Sequence, residues 1–184
     1  MNNRIKDDLF RIEGRTDLKL FIKHYILNHG FRFLVWWRTY QKSSNILVKN
    51  ICRLKLKQIE VKAGIEIPLT CSIGRGFMLT HAYGITCNSK VKIGHNVTIL
   101  KGATIGQVKY GKRTGVPTIG NNVYIGLNST IVGNITVGNN VLIAANTFVD
   151  LNVPDHSLCI GNPCKIIPKE NPIYGHVDYL VDYS

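Results

Sequence analysis

The chain has 184 residues, of which 45% are apolar and 18% charged, with 17 glycines. This composition suits one domain with a short appendage and excludes a coiled coil or a disordered chain. The net charge of +12 is uneven, because residues 1–60 carry 13 Lys/Arg against 5 Asp/Glu. That excess predicts an anionic partner near the N-terminal part of the chain.

The five cysteines are scattered and show no metal-ligand spacing. This pattern excludes a zinc knuckle or a disulfide framework and favours a reduced, cytoplasmic compartment. The first residues have no apolar segment of the kind found in secretory signals, so none is expected.

Residues 1–60 predict an N-terminal helical region. Apolar residues from Phe21 to Ile26 recur at helical spacing, a break follows at 28–30, and 43–45 resembles the cap of a further helix. No recognition motif accompanies the basic residues, so no nucleic-acid partner is expected.

Two interpretations of this region remain open. The helices form a cap on the rest of the domain, or they lie on an anionic membrane at its inner face. In the second case, Trp36 and Trp37 would sit at the depth of the lipid headgroups.

A six-residue repeat dominates residues 61–168. Aliphatic residues recur at this period at Ile67, Ile73, Leu79, Ile85, Ile93, Ile99, Ile105, Ile119, Ile125, Ile131, Val137, Ile143 and Val149. Residues that adopt positive φ easily follow three positions later at Gly76, Asn88, Asn96, Gly102, Asn122, Asn128, Asn134, Asn140, Asn146 and Asn152. Each hexad therefore predicts a short strand and a corner, and three hexads form one coil of a parallel β-helix.

Three segments depart from the repeat, and function is expected there. Residues 107–117 cannot fit into a coil and should protrude as a loop. The corner at 80–84 contains His81, which has no packing reason to be there. The third segment is the end of the repeat, VPDHSLCIGNPCKII. Residues 169–184, which follow it, lack the period and are expected to form a surface tail.

The hexads, the segment IGRGFMLTHAYG and the terminal VPDHSLCIGNPCKII together resemble the hexapeptide-repeat acyltransferases over about residues 60–168. The similarity is to serine O-acetyltransferases and to shorter enzymes that acetylate capsule and other surface polysaccharides. The resemblance implies a left-handed parallel β-helix, a homotrimer or dimer of trimers, and acetyl-CoA as the acyl donor.

The resemblance also implies site residues. His81 matches the histidine that acts as general base, and Glu66 stands where the serine enzymes have the aspartate that orients it. The residues expected to bind acetyl-CoA are Gly106, Lys112, Arg113, Gly126, Leu127, Ala144, Ala145 and Lys165.

The acceptor-binding positions differ from the serine enzymes. Thr80 and Val116 replace residues whose charge or imidazole contacts the amino acid, and Tyr83 is a further expected acceptor contact. An amino acid needs charged partners for both its ammonium and its carboxylate. The prediction is therefore a sugar O-acetyltransferase of capsule or surface-polysaccharide biosynthesis.

The alternatives are a serine O-acetyltransferase of cysteine biosynthesis and a non-catalytic β-helix scaffold that docks at a membrane. No metal is expected, because a zinc site of the hydro-lyase type needs further histidines at coil spacing from His81. Cys71 and Cys87 could be nucleophiles, but cysteine more often fills a narrow interior.

Overall fold

The computed structural model describes residues 2–183, which form four helices followed by a coil of short strands. The helices are α1 Asn3–Glu13, α2 Leu18–Leu27, α3 His29–Lys42 and α4 Ile46–Ala63. The strands are β1 Ser72–Ile73, β2 Met78–Thr80, β3 Thr86–Cys87, β4 Lys92–Ile93, β5 Thr98–Leu100, β6 Thr104–Gly106, β7 Thr118–Ile119, β8 Val123–Ile125, β9 Thr130–Val132, β10 Thr136–Val137, β11 Val141–Ile143, β12 Phe148–Val149, β13 Ser157–Ile160 and β14 Lys165–Pro168.

Side-chain caps set the starts of the helices. In every helix the residue before the first turn accepts a backbone N–H with its side chain, which satisfies a donor that the helix itself leaves free. These residues are Asn2, Asp17, Asn28 and Asn45. The predicted break at 28–30 and the cap at 43–45 are confirmed, while α4 runs three residues past the predicted boundary at 60.

The strands form three parallel sheets that stack into a left-handed β-helix of about five turns, as predicted. Their orders are β1-β4-β7-β10, β14-β13-β11-β8-β5-β2 and β12-β9-β6-β3, with only β14 antiparallel. Thr130 pairs with Phe148, eighteen positions later, as three hexads per coil require. Leu79 pairs with Ile99 instead, because the corner between β2 and β3 contains two additional residues. The prediction that Ile85 belongs to the aliphatic column is therefore wrong, and Cys87, which pairs with Ile105, occupies that position.

Corners along two of the three edges of the β-helix adopt the predicted left-handed conformation. Corners along the third edge do not. Positive φ occurs at Gly76, Asn96, Gly102, Asn122, Asn128, Asn140 and Asn146. The prediction is wrong for Asn88, Asn134 and Asn152. At Asn88 and Asn152 the side-chain oxygen accepts a backbone N–H instead, and beside Asn134 the positive φ belongs to Gly133.

One apolar core joins the helices to the β-helix. Phe33, Leu34 and Trp37 of α3 belong to the same buried cluster as Ile73 and Phe77 of the first coil. The helices therefore cap the end of the β-helix, as the first interpretation predicted. Only 2% of Trp37 is exposed, so the prediction that it lies at headgroup depth is wrong.

The opposite side of α4 is apolar and exposed. Leu47, Ile51, Leu54 and Val61 follow one another at spacings of four, three and seven residues, and more than half of each is exposed. Among the described residues, no helix is both long and apolar enough to cross a membrane.

A fully buried ion pair attaches the helices to the first coil. Arg38 of α3 donates to both carboxylate oxygens of Asp8 of α1, at 2.9 and 3.1 Å. Arg38 also donates to the carbonyl oxygens of Ile73 and Gly74, and Asp8 accepts the N–H of Phe77 at 2.9 Å. Because every partner is supplied, the two charges can remain inside the protein.

Removing one member of this pair should destabilise the fold strongly. We expect Arg38→Met to lower the free energy of unfolding by about 3–5 kcal/mol, because Asp8 would remain buried without its cation. Urea denaturation at fixed protein concentration measures this loss. The control is Arg75→Met, which breaks the more exposed pair with Asp7 and should cost within about 1 kcal/mol. Equal effects of the two substitutions would contradict the account.

Candidate active site

His81 lies at an unusual point of the backbone. It follows β2 directly and has a φ of +50°, a left-handed conformation that only a few per cent of residues other than glycine adopt. His81 is exposed, and its ring makes no hydrogen bond or ion pair within residues 2–183. The two additional residues of the corner thus present an imidazole to a potential substrate instead of packing it.

The start of α3 packs closely against this corner and fixes its position. A Cβ built on Gly30, near the start of α3, would lie 2.5 Å from the carbonyl oxygen of Leu79 and 3.0 Å from the Cβ of Ala82. Only glycine allows this approach, because the backbone at Leu79 cannot move without moving the strand. The helical layer therefore supports the segment from which His81 projects.

A cavity of about 590 Å³ lies beside His81. The corner contributes Met78, Leu79, Thr80, Ala82 and Tyr83; the helices contribute Arg11, Ile12, Lys23, His24, Leu27, Asn28 and His29; and the C-terminal tail contributes His176, Val177 and Asp178. The predicted acceptor contacts Thr80 and Tyr83 thus share one cavity with His81.

Three further histidines line this cavity, His24, His29 and His176, and none of them was assigned a role from the sequence. His24 contacts Glu13 at 2.9 Å. The His29 ring meets Tyr83 edge-on with centroids 5.6 Å apart, and the His176 ring lies 5.2 Å from Tyr124. His29 and His176 both reach the cavity through long-range packing, so no local motif could have revealed them.

Glu66 does not contact His81 within one chain. The coil that contains Glu66 lies directly under the histidine corner, since Gly84 donates to the carbonyl of Ala63 at 2.8 Å. The Glu66 side chain, however, lines a different cavity of about 530 Å³ together with Lys57. Within residues 2–183, no hydrogen bond joins its carboxylate to another side chain.

The predicted donor-binding residues lie mostly along two edges of one sheet. The histidine edge comprises residues 81–84, 101–102, 126–128 and 144–146, whose successive coils are joined by backbone hydrogen bonds of 2.8–3.0 Å. The loop edge comprises residues 88–90, 106–117, 133–134 and 150–152. A strand segment of about five residues separates the edges by roughly 15 Å.

The histidine edge contains Gly126, Leu127, Ala144 and Ala145. Gly126 has no room for a side chain, since an added Cβ would lie 2.7 Å from the backbone nitrogen of Ala145. Small residues at successive coils leave backbone accessible along this edge, as the binding of a thin, extended ligand arm requires.

The loop edge contains Gly106, Lys112, Arg113 and Val116. The loop protrudes as predicted and closes on itself through paired hydrogen bonds between Val108 and Gly115. Lys112 is exposed, Arg113 forms an ion pair with Asp150, and Val116 packs partly against the core. Lys165 is exposed at the start of β14, where it pairs with Ile160, the residue that follows the partner of Ile143.

Within one chain the structure therefore brings His81, Thr80 and Tyr83 together and leaves the loop residues on the opposite edge. No group of three or more potential metal ligands occurs among the described residues.

Comparison with known proteins places this fold and corner in one class. Residues 117–150 match the family model of the bacterial transferase hexapeptide, six repeats. The chain also matches the structure of serine acetyltransferase from Neisseria gonorrhoeae with a TM-score of 0.74 and 28% identity, covering 91% of this chain and 66% of that one. The class defined by fold and site is therefore the hexapeptide-repeat transferases.

Sequence relatives make the assignment more specific. Serine acetyltransferase of Staphylococcus xylosus is 32% identical over 174 residues, which cover 91% of this chain and 78% of the relative. Chloroplastic serine acetyltransferase 1 of Arabidopsis thaliana is 35% identical over 173 residues, or 54% of its length. The chain belongs to the serine acetyltransferase family, and it spans about half the length of the plant relatives it matches.

The cysteines are poorly suited to be nucleophiles. Cys71 and Cys87 are buried inside the coil, and burial raises the pKa of Cys71 to about 11 and raises that of Cys87 further. Burial likewise raises the pKa of Cys159 to about 12. The prediction that these side chains fill the interior agrees with their positions.

Thiol alkylation tests this assignment. Iodoacetamide at about pH 8 should modify Cys71, Cys87 and Cys159 at least about a hundredfold more slowly in the folded protein than in urea, because thiolate is scarce and access is blocked. Peptide mass analysis measures each rate, and half-buried Cys164 is the internal comparison. Rapid alkylation of Cys71 or Cys87 in the folded protein would contradict their inert role.

Proposed function

We propose that this protein transfers the acetyl group of acetyl-CoA to the hydroxyl of L-serine, with His81 as the general base. The single observation that carries the proposal is the position of His81, which projects from a left-handed corner into a cavity of about 590 Å³. The relatives named serine acetyltransferase support the reaction, and one similar structure is described as a serine acetyltransferase complex with CoA.

The choice of acceptor follows the relatives. Their names support serine, the alternative in the sequence analysis, over the sugar hydroxyl that was the main prediction. The uncharged side chains of Thr80 and Val116 keep a sugar as the second candidate. If serine is the acceptor, charged partners for its ammonium and carboxylate must come from other residues.

The cavity residues suit direct transfer. His81 accepts the proton of the serine hydroxyl while the oxygen bonds to the carbonyl carbon of the acetyl thioester. The tetrahedral adduct then collapses, the carbon–sulfur bond breaks, and the imidazolium returns the proton to the leaving sulfur. No covalent enzyme intermediate is required. The role of Glu66 in orienting the ring stays a prediction, and it requires the carboxylate to leave the second cavity and reach His81 when the chains assemble.

Binding of the acyl donor, acetyl-CoA, requires residues from both edges of the sheet. Lys112 and Arg113 on the loop edge offer cations for the phosphates of coenzyme A, while the small residues of the histidine edge accommodate its extended arm. Lys165 is a third cation for the same phosphates. Because the two edges lie apart in one chain, a complete site forms where the loop of one copy meets the histidine edge of another, as in a homotrimer.

Contact of the helical layer with an anionic membrane stays a prediction. The exposed apolar stripe on α4 and the lysines beside it, Lys55 and Lys62, support it. A non-catalytic scaffold would not explain why the exposed imidazole of His81 lines a cavity.

Replacing His81 tests the proposed base. His81→Asn is the suitable change because asparagine tolerates the left-handed backbone at this corner. Release of CoA thiol with L-serine should fall about 100- to 10,000-fold, the usual contribution of a general base, while binding of CoA by calorimetry stays unchanged. The control His156→Asn, also at positive φ, should keep full activity. Undiminished activity of His81→Asn would refute the role of His81.

Mixing two defective chains tests the shared site. His81→Asn lacks the base, and a chain with Lys112→Glu and Arg113→Glu lacks the loop cations, so each alone should be weak. Refolded together, they should regain activity at about a quarter of the sites, where an intact edge meets an intact loop. No recovery in mixed oligomers, verified by native mass spectrometry, would indicate that each chain completes its own site.

A further inference from the structure

The tail closes one side of the cavity beside His81. His176, Val177 and Asp178 line this cavity together with residues of the helices, although they lie almost a hundred residues from His81 in sequence. The sequence predicts only a surface tail for residues 169–184. The segment runs instead across the outer face of the sheet that contains β2, β5 and β8.

Contacts of the three residues 179, 181 and 183 fix the tail directly after Asp178. The carbonyl oxygen of Tyr179 accepts a hydrogen bond from Arg11 of α1. Val181 and Asn96 exchange two hydrogen bonds, with Val181 N donating at 3.0 Å and Asn96 Nδ2 donating at 2.9 Å. The ring of Tyr183 stacks on His95 with centroids 4.5 Å apart. The backbone at Asp178 therefore has a defined position, and its side chain is exposed beside the cavity.

Asp178 is the only acidic side chain among the described residues that line this cavity. It makes no hydrogen bond or ion pair within residues 2–183. The cations of the cavity already have partners. Lys23 and His24 contact Glu13 at 2.7 and 2.9 Å, and Arg11 donates to the carbonyl of Gly76 and the hydroxyl of Thr98.

We propose that Asp178 binds the ammonium group of the amino-acid acceptor and so makes the site selective for an amino acid. This inference rests on the proposed function with serine as acceptor. Thr80, next to the base, carries no charge, so the corner itself offers no partner to an ammonium. An unpaired carboxylate on an anchored backbone segment can form a charge-assisted hydrogen bond with an ammonium group without breaking an existing ion pair.

The experiment compares two acceptor ligands. L-Serine carries the ammonium, and 3-hydroxypropanoate has the same hydroxyl and carboxylate without it. For Asp178→Asn we expect the KM for L-serine to rise about ten- to a hundredfold with kcat little changed, the loss of one charged hydrogen bond. The inhibition constant of 3-hydroxypropanoate against serine should stay constant, so selectivity falls by the same factor. Asp178→Glu should retain most of the selectivity.

Glu170→Gln is the matched control, because it removes the same charge from the tail outside the cavity, and its KM for serine should not change. If wild type acetylates serine and Asp178→Asn keeps its KM and selectivity, the inference is overturned and the proposed function stands. A loss that affects serine and 3-hydroxypropanoate equally also overturns it, since the role would be structural. If wild type does not acetylate serine, the proposed function fails and the inference fails with it.

Discussion

The corner of each coil is the constraint on which the rest of this structure depends. A six-residue unit can turn only if one residue adopts positive φ at modest cost, which glycine and asparagine do. Where a corner is regular, the backbones of successive coils pair with each other, and that part of the molecule serves only as a structural scaffold. At His81 two additional residues enlarge the corner while the left-handed backbone is kept. The same conformation that builds the scaffold therefore projects the imidazole from it.

Everything that surrounds His81 is held by long-range contacts. The buried pair of Asp8 and Arg38 ties two helices to the first coil, and Gly30 allows α3 to touch the strand before the corner. Arg11 then links α1 to both the coil and the tail. The cavity is thus bounded by three parts of the chain that are distant in sequence, and its shape depends on all three.

Sequence alone was sufficient where structure is local and periodic. The six-residue period predicts the coil, the protruding loop and the histidine corner, because each depends on residues only a few positions apart. The left-handed conformation failed at Asn88, Asn134 and Asn152, because side-chain hydrogen bonds or a neighbouring glycine offer other turns there. The tail could not be foreseen, since Val181 bonds to Asn96 across 85 positions and no pattern encodes that pairing.

The acceptor is the point on which the account depends most. Mass analysis of the products formed from acetyl-CoA with equimolar L-serine and a neutral hexose tests it most directly, because both hydroxyls compete for one site. The account predicts O-acetylserine as the main product, with little acetylated hexose. Acetylated hexose as the main product would contradict it, and the uncharged Thr80 and Val116 would then have indicated the true acceptor.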